Sequence, residues 1–200
     1  MKQPIAEAHK TTKRIALGGS ETAPAVPSRV GWSNAEIHRC GLPDAERINT
    51  AITVAVNGMR EDEFERRTHF IGGRFENLYL ERTRIPAIAA VLEQALACAA
   101  LILGRPSGTL RCGFWLNLTE PGQGTSEHTH DEHDELLSGV YYVAIPPDSG
   151  DLILYDGPST IHIEPCAGTF LFFPPHLPHA VETNRSTLPR LSIGINIGPR

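Results

Sequence analysis

The chain has no surplus of basic charge. Its 18 Lys and Arg stand against 23 Asp and Glu, a formal charge of -5 over 200 residues. Without a positive field, nucleic acid and anionic membrane surfaces are not expected partners. It also has no CxxC. The four cysteines, Cys40, Cys98, Cys112 and Cys166, are scattered, which predicts reduced, mostly buried thiols and a cytoplasmic setting. No apolar run reaches the length of a membrane span. The most apolar stretch, 87–103, carries Glu93 and Gln94 and reads as a buried soluble helix. The N-terminus lacks an apolar signal core, so no export is expected. No repeat is visible, and the length suits one domain with a substantial core.

Residues 1–28 are polar, with little to bury, and predict a flexible N-terminal arm. Residues 29–200 then form a single domain. Ile48, Ile52 and Val56 recur at helical spacing after Pro43-Asp44, predicting a helix over about 43–58. Pro86 opens and Gly104 with Pro106 closes a second helix, 86–103. Gly72-Gly73 marks a turn, with an extended piece near Phe75–Leu80. From Leu110 the character changes to short apolar or alternating runs: 110–118, 137–145, 151–155, 160–164, 169–173 and 190–197. Many short strands at this spacing predict an antiparallel sandwich or barrel, mainly β, with the helices packed on one sheet.

Chemistry concentrates in the histidines. His128-Thr129-His130 places two imidazoles on one face of an extended chain. His179 follows the run Gly168-Thr169-Phe170-Leu171-Phe172-Phe173-Pro174 and offers a third from a neighbouring strand. An HxH alone also arises on polar loops; the added histidine is what points to a metal. Three neutral imidazoles suit Fe(II), Zn, Cu or Ni, and open positions make a catalyst or sensor, not a structural staple. His130-Asp131-Glu132 is itself an HxE, so Glu132 competes with His130 for the third position, and Glu135 is a further alternative ligand. His133 and His176 read as solvent-facing or ligand-orienting. His9, His38, His69 and His162 read as surface or structural.

The last strand carries a second signal. Arg190, Ser192, Gly194 and Asn196 share one face, and that face is too polar for a core, so it predicts a polar cavity wall. Arginine suits bidentate recognition of a carboxylate. Tyr141 and Tyr142 point oppositely, one to the core and one to the cavity. Trp115 reads first as core packing.

Over Leu116–Asn196, about 40% of the chain, the sequence resembles the 2-oxoglutarate/Fe(II)-dependent oxygenases, in particular a group found in bacteria and phages. The matching pieces are Trp115-Leu116-Asn117, Pro121-Gly122, Ser138-Gly139-Val140-Tyr141-Tyr142-Val143, Ser149-Gly150-Asp151, Pro165–Gly168, Phe172-Phe173-Pro174, His179-Ala180-Val181 and Arg190–Asn196. The resemblance implies a double-stranded β-helix, the jelly-roll shared with cupins. It makes His128 and His179 iron ligands, with His130 where most of the superfamily has Asp or Glu. It gives Arg190, Ser192 and Tyr142 to the cosubstrate 2-oxoglutarate, and Asn117, Trp115 and Asn196 to the pocket. The implied activity is a non-haem Fe(II) dioxygenase, a hydroxylase taking a small molecule or a side chain with 2-oxoglutarate and O2. The segment 131–135 is longer than the group's usual one, which leaves the third ligand open.

A second resemblance is to cupins. Gly122, His128-x-His130 and Glu135 fit the first cupin motif, and Gly168, Pro174 and His179 partly fit the second, with His176 where that motif has Gly. It implies the same fold and histidines, with Glu135 as a ligand and no 2-oxoglutarate. A jelly-roll ligand sensor without turnover is the non-enzymatic alternative. The primary substrate is not written in the sequence; the arm, 67–80 and the acidic segment 131–135 are the segments expected to shape its pocket, the acidic one hinting at a cation. Oligomeric state is open, a homodimer being the commonest assembly for soluble enzymes.

Overall fold

In the computed structural model, which describes residues 11–18, 25–30, 35–71, 74–131 and 133–200, period-two runs become strands and the two helical runs become helices. In chain order these are β1 (Thr11–Ala16), β2 (Ser28–Arg29), β3 (His38–Gly41), α1 (Ala45–Asn57), β4 (Arg66–Ile71), β5 (Arg74–Tyr79) and α2 (Ile88–Leu103). There follow β6 (Leu110–Thr119), β7 (Thr125–His128), β8 (Leu137–Ala144), β9 (Leu152–Asp156), β10 (Ser159–Glu164), β11 (Thr169–Phe173), β12 (His179–Val181) and β13 (Arg190–Pro199). They form two sheets, one ordered β1-β10-β9-β12-β7 and one ordered β2-β3-β11-β8-β13-β6-β5-β4. Two facing sheets with this interleaved order are the double-stranded β-helix.

Alternation assigns each face. Leu191, Ile193, Ile195 and Ile197 of β13 join Tyr141 and Val143 of β8 in a core shared with the helices. The buried stripe Ile48, Ile52 and Val56 of α1 and Ile88, Val91, Leu92, Ala95 and Ala99 of α2 cover it. Tyr141 Oη donates to Asn49 Oδ1 at 2.6 Å and ties β8 to α1. α2 stops because Gly104 takes the left-handed conformation, φ 63°, and its N–H returns to the Ala100 carbonyl. The opposite faces of the strands look between the sheets. There Leu152, Leu154, Ile161, Ile163, Leu171 and Phe173 pack a second core. On β6 and β13 that inner face is polar, and the space beyond the apolar packing opens as a cavity.

Two expectations are corrected. Thr11–Ala16, inside the segment read as a flexible arm, is strand β1, paired in parallel with β10. Only Ile15 and Leu17 turn inward, so its apolar signal is too thin to see. Backbone pairing and the Arg14–Asp151 ion pair, 2.9 Å, hold it instead. Residues 1–10 and 19–24 of the arm lie outside the described residues, as do Gly72 and Gly73. Cys40 and Cys98 were expected as free thiols, but they form a disulfide between β3 and α2, leaving Cys112 and Cys166 free. A separation of 58 residues carries no local sign of that pairing. No helix among the described residues is long and apolar enough to cross a membrane.

Candidate active site

Strand pairing assembles the histidines. His128 ends β7 and His179 begins β12, and the two are direct antiparallel partners. Cross-strand partners bring their side chains together, and the ring centroids lie 4.3 Å apart. His130 is not on a strand, as the HxH spacing had suggested, because β7 stops at His128. Its backbone N–H donates instead to the Pro175 carbonyl at 2.9 Å, which turns the ring inward. It sits 4.9 Å from the His128 ring and 5.1 Å from the His179 ring. One nitrogen from each of the three lies within 4.8 Å of the others.

The rings are set up as ligands. His128 Nδ1 lies 2.9 Å from the Ser126 carbonyl and His179 Nδ1 lies 3.0 Å from the Leu177 carbonyl. A carbonyl only accepts, so both Nδ1 atoms carry hydrogen and both Nε2 lone pairs are left for a metal. Burial holds the His130 imidazole down to about pKa 4, with His128 and His69 adding to the effect. Burial likewise lowers His179 to about 3. Both are neutral at pH 7, the state that binds metal. The donor set fits a divalent transition metal.

Among the described residues, the candidate carboxylate does not join them. Glu135 lines the same cavity, but its carboxylate is outside the cluster, and its Oε2 accepts the His133 N–H at 3.1 Å. Glu132 lies outside the described residues. Asp151, His162 and Glu182 make a separate group within 4.8 Å. Its members are engaged with neighbours: Arg14 holds Asp151 through two bonds, and His162 Nδ1 lies 3.2 Å from Glu182 Oε1. His162, read as surface or structural, belongs to this network on β10.

The cavity measures about 620 Å³. Arg190, Ser192, Gly194 and Asn196 all line it. Arg190 is 3% exposed, and its Nη1 donates to the carbonyls of Ser149 (3.3 Å) and Gly150 (3.1 Å). That turn needs glycine: Gly150 has φ 90°, and a Cβ there would sit 2.4 Å from the Glu182 carbonyl. Tyr142 points into the cavity while Tyr141 points to the helices. Its Oη is buried and makes no hydrogen bond with the described residues, and burial raises its pKa, so it is a neutral donor. A buried hydroxyl with no internal partner suits a polar ligand. Trp115 is opposite Gly194 on the adjacent strand, and its indole lies across that glycine: a Cβ at 194 would be 2.2 Å from Cε2. The indole is thereby pressed beside His130, at 5.4 Å, and is a cavity wall as well as packing. Asn117 shares its strand face and reaches the β4–β5 hairpin. Asn196 Oδ1 accepts from Ser138 Oγ at 3.0 Å.

The hairpin overlaps the segment 67–80 that was expected to shape the pocket: His69, Glu76 and Tyr79 within it, and Arg66 just before it, all line the cavity, though none had been named by residue for that role. His69 had been read as surface or structural. Its φ of 57° is unusual for a non-glycine residue and marks the wall as a strained segment.

A pH prediction follows from the buried imidazoles. An unfolded chain takes up protons on these histidines below about pH 6.5, whereas the folded chain resists until about 4 and 3. Stability of the metal-free protein is therefore unaffected above that range and falls as pH drops through it, by at most about 1.4 kcal/mol per pH unit per histidine. Thermal melts from pH 7 to 5 should show Tm falling by roughly 7–15 °C, the two histidines together losing about 4 kcal/mol, and the H130Q/H179Q double variant should flatten the curve. Equal slopes in both proteins would remove the effect from these residues.

No protein-family model matches the sequence, and no curated protein matches it significantly. Solved structures do. An oxidoreductase of the 2OG-Fe(II) oxygenase family from Burkholderia pseudomallei aligns with TM-score 0.60 and 14% identity over 81% of this chain and 84% of its own. A Pseudomonas putida prolyl-4-hydroxylase aligns with TM-score 0.59 and 20% identity over 84% and 94%. The non-heme alpha ketoglutarate dependent epimerase SnoN from nogalamycin biosynthesis aligns with TM-score 0.64 and 16% identity over 82% and 77%. At such identities the likeness is one of architecture, and the chain has the double-stranded β-helix fold found in these 2-oxoglutarate/Fe(II) oxygenases.

Proposed function

We propose that the chain is a non-haem Fe(II)- and 2-oxoglutarate-dependent dioxygenase and hydroxylates an organic substrate. One observation carries this reading: a histidine triad and a buried arginine with Tyr142 and Ser192 line the same cavity. His128, His130 and His179 would hold the iron through nitrogen. Arg190 would take the distal carboxylate of 2-oxoglutarate, with Tyr142 Oη donating a second bond and Ser192 lining the same end. When bound, iron with 2-oxoglutarate and O2 supplies oxidative decarboxylation of the keto acid to succinate, coupled to oxidation of a substrate C–H bond.

The protein's own part is positional. The Ser126 and Leu177 carbonyls fix two imidazole tautomers. The 149–150 turn holds Arg190 before any ligand arrives, so little side-chain freedom is lost on binding. Leu152, Val140 and Phe173 close the inner side with apolar atoms and keep water from the reacting end. The fold alone does not choose the reaction, since a prolyl hydroxylase and an epimerase share it.

The test is anaerobic addition of 2-oxoglutarate to the Fe(II)-loaded protein. A weak visible charge-transfer band, followed in air by succinate release, is the expected result. Bound iron with neither band nor succinate would sink the reading.

A further inference from the structure

The outer half of the cavity has no role in the reading above, and its wall is the β4–β5 hairpin. A relay starting on β6 orients His69 there. The Glu76 carbonyl accepts from Asn117 Nδ2 at 2.7 Å, which fixes that amide's orientation. The same Nδ2 donates to Asn77 Oδ1 at 3.2 Å. Asn77 must then point its own Nδ2 at His69 Nδ1, 3.0 Å away. Nδ1 of His69 is an acceptor, so its neutral ring carries hydrogen on Nε2. The Thr68 hydroxyl lies 3.0 Å from the same Nδ1. This tautomer is the reverse of that in His128 and His179: His69 offers an N–H where they offer a lone pair.

Arg66 stands at the outer end. Its guanidinium lies 4.0 Å over the Tyr79 ring. Tyr79 is 6.3 Å from Trp115, tilted by 40°, and Trp115 is 5.4 Å from His130. Two aromatic faces thus form a shelf leading from the histidine triad out to a cation. Arg66 makes no ion pair with a carboxylate among the described residues. The neighbouring charges are engaged: Arg111 with Asp134, Glu135 with the His133 N–H, and Glu76 with a partner of its own. A cation braced on a ring, with an N–H donor lining the same cavity, selects an oxyanion.

We propose that the substrate is an organic anion with a flat apolar body. The body lies on the Tyr79–Trp115 shelf, its carboxylate or phosphate pairs with Arg66, and the His69 Nε2–H donates to one of its oxygens. This proposal runs opposite to the hint of a cationic substrate drawn from the acidic segment, whose Asp134 pairs with Arg111. It rests on the oxygenase reading only for which end reacts.

The probes are 3-phenylpropionate, its amide and 3-phenylpropylamine, measured by calorimetry on the Zn(II)-loaded protein with saturating 2-oxoglutarate. The acid should bind about fivefold tighter than the amide, and Arg66→Gln should bring that ratio to about one. The same ratio is measured in Arg190→Ala, to remove any acid captured at the inner end. Tighter binding of the amine, equal binding of acid and amide, no binding of the acid, or a preference that survives Arg66→Gln and vanishes in Arg190→Ala each overturn the proposal. Failure of 2-oxoglutarate to bind the wild type is read on the same sample. It would sink the oxygenase reading while leaving the acid-to-amide comparison intact.

Discussion

Arg190→Ala should weaken 2-oxoglutarate binding by about a hundredfold while leaving metal binding unchanged. The size follows from burial. Arg190 is 3% exposed, and a charge-assisted pair in such a site is worth about 2–4 kcal/mol when one partner is removed. The selectivity follows from separation of roles. Arg190 bonds the 149–150 turn, whereas the three imidazoles are placed by β7, β12 and the Pro175 carbonyl. Calorimetry with 2-oxoglutarate and, separately, with Co(II) distinguishes the two ligands. Arg190→Lys should fall between, because an ammonium keeps the charge and loses the planar fork. A variant that lost metal while holding 2-oxoglutarate would overturn the assignment. Tyr142→Phe removes a single neutral hydroxyl, so its effect should be smaller, about tenfold or less.

His179→Ala should abolish stoichiometric metal binding, and Glu135→Gln should leave it within about twofold. Loss of a partner that merely orients a ligand costs about 10–100-fold in affinity, so removal of a ligand itself must exceed that range. His179 is the best held of the three: 5% exposed, backed by the Phe173 ring at 4.8 Å and bonded through Nδ1 to Leu177. Glu135 lies on the cavity wall with its Oε2 committed to a backbone N–H. Co(II) absorption in the two variants decides between a three-histidine site and the cupin-like set. Metal loss in Glu135→Gln would bring back the cupin reading.

Much of the inner site could be read before any coordinates, and the reason is local. Arg190, Ser192, Gly194 and Asn196 lie on one short strand, where a period of two sorts them without knowledge of partners. His128 and His130 are likewise neighbours in sequence. The outer wall could be read only as a segment, 67–80. Nothing local marks Arg66, His69 and Tyr79 as the residues that face the cavity, because pairing of β5 with β6 decides it. β1 was lost for a related reason: Arg14 meets Asp151 across 137 residues, and the strand between carries few apolar side chains. The reading of His130 as a strand residue failed because a strand's end is set by its partner. β12 starts at His179, opposite His128, so the ladder has nothing further to pair with.

The indole pressed onto Gly194 has one more consequence. The chain has two tryptophans, and Trp115 lies 5.4 Å from His130. At that range a paramagnetic ion at the triad drains the excited state of the ring, so Trp115 emission dims on loading with Co(II) and recovers with a chelator. Occupancy of the centre is thus written into the protein's own fluorescence, with no label attached, and a side chain at position 194 would silence that reporter by moving the ring.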